Sequence, residues 1–69
     1  MKLSARNQLK STIVDVVKGA TTSHIRIDIG GGVIVTSSIT NEAVDELKLA
    51  KGKATTAVIK ASDVMVGVD

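Results

Sequence analysis

The stretch TTSHIRIDI, Thr21 to Ile29, alternates residue by residue: Ser23, Ile25, Ile27 and Ile29 fall on one face of an extended chain, and Thr22, His24, Arg26 and Asp28 on the other. Side chains two apart share a face in a strand, so the pattern predicts a β-strand with one buried side. Upstream, LKSTIVDVVKG (Leu9–Gly19) is rich in β-branched residues and stops on a glycine, which predicts another strand. Downstream, Gly30, Gly31 and Gly32 predict a turn requiring positive φ, and VIVTSSIT (Val33–Thr40) follows as the return arm of a hairpin.

Beyond the hairpin the period changes. In TNEAVDELKL, Thr40 suits a helix N-cap, Glu42 suits the first turn, and Val44 and Leu47 share a helical face. Ile39 before the cap and Val44 after it fit a hydrophobic staple. Lys51-Gly52-Lys53 predicts a turn, ATTAVIKA (Ala54–Ala61) an alternating strand, and DVMVGV (Asp63–Val68) a last apolar strand. A helix between the third and fourth of five strands is the order of an OB-like Greek-key barrel, so the expected fold is all-β with one short helix, in a single domain over residues 1–69.

Composition narrows what such a domain can be. A fold of 69 residues is stable by roughly 3–10 kcal/mol, and small domains usually add disulfides, a metal or a partner subunit. There is no cysteine, and His24 is the only histidine, so disulfides and thiolate zinc sites are excluded and oligomerisation becomes the expected support. No apolar run approaches the ~20 residues of a membrane span, and Met1–Lys10 lacks the apolar centre of a signal peptide. A cytoplasmic protein is expected. Net charge is only +2, and there is no aromatic residue at all. OB barrels that bind single strands stack bases on aromatic rings, so a nucleic-acid-binding module is the structural alternative this composition disfavours.

Catalysis has few candidates. The seven carboxylates are scattered, and His24 lies on the polar face of its strand, as a solvated histidine does. The triple glycine lacks the Lys-Ser/Thr pair of a phosphate loop. No enzyme is expected, and no cofactor or cation site. What the chain does offer is many small donors, among them Ser4, Ser11, Thr40 and Ser62, with Arg6, Lys10 and Lys60 near strand ends. Taken alone, these residues are the ordinary ones of strands and turns, and composition favours that reading; the functional alternative is an oxyanion site built of hydroxyls, backbone N–H groups and cations.

The segments SARNQLKS (Ser4–Ser11) and TAVIKASDVMVGV (Thr56–Val68), with DIGGG and ITNEAVDEL between them, resemble the molbindins, the small molybdenum-pterin-binding (Mop) proteins, over essentially the whole chain. The resemblance implies the barrel module also found on molybdate transporters and molybdate-sensing regulators. It further implies a homo-oligomer, a hexamer built as a trimer of dimers, holding molybdate or tungstate between subunits as a store. A free-standing regulatory subunit of a molybdate transporter is the variant of this reading. Carried over residue by residue, it assigns Ser4, Ala5 and Arg6, then Lys60, Ala61 and Ser62, and Thr40 from a neighbouring subunit, to the oxyanion site. Ala43 stands where some relatives have a serine, which removes one hydroxyl. A second class of site falls on Lys18, Gly19 and Ala20.

The chemistry is coherent. Molybdate at neutral pH is an unprotonated tetrahedral dianion whose oxygens only accept hydrogen bonds, so its site needs donors. Hydrogenphosphate carries a proton and needs an acceptor, so a donor-only site disfavours it. Thr40 is also expected at a helix N-terminus, where free N–H groups favour anions. Asp63 and Glu42 are expected to stay clear of the ligand. Binding across an interface would couple occupancy to assembly by about 2.7 kcal/mol at a hundredfold excess over Kd.

Overall fold

The computed structural model describes all residues, Met1–Asp69. The element order is β1 (Asn7–Lys18), β2 (Thr22–Asp28), β3 (Ile34–Thr40), α1 (Asn41–Glu46), β4 (Ala54–Ile59) and a 3-10 turn at Ala61–Asp63. The strands form one antiparallel sheet in the order β3-β2-β1-β4, curled around a small core. Strand β1 is long enough to serve two partners. Its first half, Asn7–Thr12, pairs with β4, and its second half, Thr12–Lys18, pairs with β2. The register slips between Ile13 and Asp15, leaving Val14 as a bulge. A bulge bends and twists the strand that carries it, and here it falls where β1 passes from one partner to the other.

The alternation in β2 comes out as read. Ser23, Ile25 and Ile27 are buried, and Thr22, His24 and Arg26 are exposed. With Ile13, Val44 and Ala57, the two isoleucines make the core, against which Leu9, Val16, Ile29, Ile39 and Leu49 pack. Gly30, Gly31 and Gly32 all take positive φ, and the turn is closed by Val33 N–H to Gly30 O at 3.1 Å and by Gly30 N–H to the Asp28 carboxylate at 2.7 Å. Thr40 caps α1, its hydroxyl oxygen accepting from Ala43 N–H at 3.0 Å. Lys53 reaches back to the Leu47 and Lys48 carbonyls at 2.7 and 3.2 Å, so a cation sits on the C-terminal end of the helix.

Three expectations need correction. Strand β1 begins at Asn7, two residues earlier than the β-branched run, because Asn7 and Gln8 find partners in Ile59 and Val58. Leu47 does not share the buried helix face: α1 ends at Glu46, Lys48 turns to φ 53°, and Leu47 is left exposed. The largest correction concerns DVMVGV, which forms no strand, so the sheet has four strands rather than five. The chain instead makes the 3-10 turn and runs on with Val64, Met65, Val66 and Val68 exposed. A strand exists only where another edge hydrogen-bonds to it, and no edge of this chain does so. Apolar alternation in a sequence is the same whether the partner edge belongs to its own chain or to another.

Candidate functional site

The antiparallel pairing of β1 with β4 sets the geometry. Asn7 stands opposite Ile59, so Ser4–Arg6 and Lys60–Ser62 both leave the sheet at the same end of the β1/β4 ladder. Asn7 fastens the two strand ends further, its amide donating to Ile59 O at 3.2 Å. Gln8 folds the first segment back, donating to Ala5 O at 3.1 Å. Six of the residues expected at the site, Ser4, Ala5, Arg6, Lys60, Ala61 and Ser62, thus flank the terminal pair of one ladder.

The donors of these segments have no acceptor within the chain. The backbone N–H groups of Ser4, Ala5, Arg6, Ala61 and Ser62 make no internal hydrogen bond, nor do the hydroxyls of Ser4 and Ser62. Ala61 and Ser62 open the 3-10 turn, closed by Asp63 N–H to Lys60 O at 2.9 Å and Val64 N–H to Ala61 O at 3.3 Å, so their N–H groups precede the first internal bond. Arg6 and Lys60 are exposed and form no ion pair; the one salt bridge of the chain joins Lys18 to Asp45. Asp63 and Glu42 pair with neither cation.

Thr40 lies elsewhere. It pairs with Thr22, and Lys18 with Ser23, so Thr40 stands near the Lys18 end of β1, whereas Ser4–Arg6 continue from the Asn7 end. A 12-residue strand spans about 36 Å when fully extended. The Thr40 oxygen already accepts from Ala43, which leaves its hydrogen free to donate. Around Lys18, Gly19 and Ala20 the donors are partly committed. Lys18 Nζ contacts the Asp45 carboxylate at 2.7 Å, and Gly19 N–H donates to Thr22 O at 2.8 Å, while Ala20 N–H has no acceptor within the chain. Gly19 is required there, since a Cβ would lie 2.8 Å from Thr22 O.

Two positioning residues carry no signal in the sequence. Asn7 ties together the ends of β1 and β4 from which the two donor-bearing segments leave. Asn41 gathers the other end of the molecule, accepting from the buried Ser23 hydroxyl and donating to Gly19 O and Ala20 O at 3.0 and 3.3 Å. Either asparagine reads as an ordinary turn or cap residue until the register is known. The largest depression, about 580 Å³, lies away from both clusters, against Lys10, Ser11, Thr12 and Asp28. Its carboxylate opposes an anion there.

Residues 3–66 match the TOBE domain. A "probable molybdenum-pterin-binding protein" of Haemophilus influenzae is 49% identical over the full length of both chains. The chain belongs to the TOBE family, among its molybdenum-pterin-binding proteins. Molybdenum-pterin-binding protein 1 of Clostridium pasteurianum is 46% identical, over 96% of this chain and 97% of its own. Among solved structures, apo MopII of Clostridium pasteurianum superposes with a TM-score of 0.90 at 42% identity, covering 97% of this TOBE chain and 100% of MopII. The cytoplasmic molybdate-binding protein ModG, solved with molybdate bound, gives 0.94 at 43% identity; all of this chain matches 49% of ModG. The same TOBE module makes up about a quarter of the molybdenum transport protein ModE of Herbaspirillum seropedicae, at 48% identity over 96% of this chain.

Proposed function

We propose that the protein binds molybdate, and tungstate with it, as the bare oxyanion at sites shared between subunits of a cytoplasmic homo-oligomer, and so stores or buffers the anion without acting on it. What supports this reading is that Ser4–Arg6 and Lys60–Ser62 depart from one end of the β1/β4 ladder and carry two unpaired cations and five N–H groups without internal acceptors. That set consists of donors, as a fully deprotonated tetrahedral dianion requires. The names of the TOBE relatives and the molybdate in ModG support the identity of the anion.

Thr40 supports the shared site. One chain holds it near the Lys18 end of β1, so its hydroxyl joins the Ser4–Lys60 cluster only if a second copy supplies it. A hexamer of three dimers satisfies this arrangement. Lys18, Gly19 and Ala20 form the proposed second class of site, where Ala20 N–H is free and Lys18 must exchange Asp45 for the anion.

The test is a calorimetric titration of the ligand-free protein with molybdate, tungstate, sulfate and phosphate. Saturable binding of the first two, well above that of sulfate and phosphate, is expected. Equal binding of all four anions would contradict the reading.

A further inference from the structure

The turn between β1 and β2 is held from one side by a single residue. Asn41 opens α1, and its backbone N–H donates to Thr21 O at 2.9 Å. Its side-chain amide donates to Gly19 O at 3.0 Å and to Ala20 O at 3.3 Å, while its side-chain oxygen accepts from the buried Ser23 hydroxyl. Three successive carbonyls, of Gly19, Ala20 and Thr21, therefore all point at Asn41.

That arrangement fixes where the N–H groups go. In a planar trans peptide the C=O and the following N–H point in opposite directions, and no peptide of this chain is cis. Capture of Gly19 O and Ala20 O thus turns the N–H groups of Ala20 and Thr21 away from Asn41. Both residues are exposed, and neither N–H has an acceptor within the chain. Carbonyl oxygens carry partial negative charge and repel an anion; here they are engaged on the far side of the turn. The side-chain chemistry is specific. One short side chain must accept from Ser23 and donate to two carbonyls, which asparagine does, whereas aspartate of the same shape keeps the acceptor and lacks the donors.

We propose that Asn41 is a positioning residue for an oxyanion bound at this turn. It touches no ligand itself. By holding the carbonyls inward it presents the N–H groups of Ala20 and Thr21 as a donor-only face, next in the chain to the Lys18 ammonium. The proposal rests on the oxyanion-binding reading of the protein and deepens it, adding Thr21 N–H to the Lys18–Ala20 site and naming the residue on which that site depends.

The test follows individual backbone amides of the assembled protein by proton–nitrogen correlation NMR during titration with sodium molybdate. In the wild-type protein the Ala20 and Thr21 signals should shift saturably. In Asn41→Asp the same two signals should need about tenfold more molybdate or beyond, while those of Arg6 and Ala61 follow the wild-type course. Asn41→Ala, which removes the donors without adding charge, should weaken the same two responses. Ser23→Ala controls for simple destabilisation: it strips Asn41 of its buried partner but leaves the amide donors, so Ala20 and Thr21 should respond as in the wild type. A wild-type response of Ala20 and Thr21 in either Asn41 variant would overturn the proposal. So would an equal loss in Ser23→Ala, which a merely structural role would produce. Ala20 and Thr21 signals that stay fixed in the wild type while Arg6 and Ala61 move would overturn this inference and leave molybdate binding intact. Silence of every amide would remove the proposed function as well.

Discussion

The middle of this molecule and its two ends follow different rules. From Asn7 to Ile59 the sheet, glycine turn and capped helix answer one another: Thr40 caps α1, Lys53 covers its last carbonyls, Asn41 satisfies Ser23, and no buried side-chain polar atom lacks a partner. At the ends the balance is reversed. Ser4–Arg6 and Lys60–Ser62 carry donors and cations without internal acceptors, and Val64–Val68 exposes apolar side chains. Only six of 69 residues are buried in the single chain, a thin core for an independent fold. The middle satisfies its own polar and apolar groups, while the ends leave donors, cations and apolar side chains open, where we propose that binding takes place.

The largest effect expected of any change is at the C-terminal end. Removing Val64–Asp69 should reduce the particle to a smaller assembly by light scattering; an unchanged mass would erase the distinction between middle and tail. Ile25→Ala attacks the middle, where the side chain is 1% exposed. It should cost about 2–5 kcal/mol in urea unfolding, much of the total for so small a domain. A loss below about 1 kcal/mol would show that the core lies elsewhere.

Lys60→Ala separates the regions most sharply. The side chain is exposed and unpaired, so melting of the ligand-free protein should hardly move. Loss of one charge-assisted contact, about 1.5–3 kcal/mol, should weaken molybdate binding roughly 10- to 150-fold in calorimetry. Ser23→Ala does the reverse: it strips Asn41 of a buried partner, should lower stability by about 1–3 kcal/mol, and should affect the anion only through the fold. At the small end, Lys18→Ala breaks an ion pair whose side chains are 51% and 67% exposed. A change of no more than about 1 kcal/mol is expected by thermal melting.

How far the sequence could be read follows the same division. Strand β2, its glycine turn, the Thr40 cap and the turn at Gly52 were legible because their determinants are local: a period of two, positive φ, a hydroxyl three residues before an N–H. The extent of β1 and its bulge were not, because Asn7 and Gln8 join the strand only through β4, some fifty residues away. The failure at DVMVGV is of another kind. The pattern of Val64, Val66 and Val68 is that of a strand, yet a pattern cannot say whose edge it meets. Among candidate site residues, Ser4–Arg6 and Lys60–Ser62 came from the family resemblance, and the β1/β4 register shows that both segments leave the same end of the sheet. Asn7 and Asn41, whose work is to hold those segments and the Gly19–Ala20 turn, show their roles only once hydrogen bonds across strands are known.

The proposed anion site belongs to an assembly rather than to one chain. Native mass spectrometry of the ligand-free protein, with and without molybdate and with sulfate as control, tests it most directly. An oligomer, six chains in the proposed arrangement, should gain discrete molybdate masses and few of sulfate, while any residual monomer gains none. A monomer that takes up molybdate alone, or an oligomer that takes sulfate equally well, would contradict it.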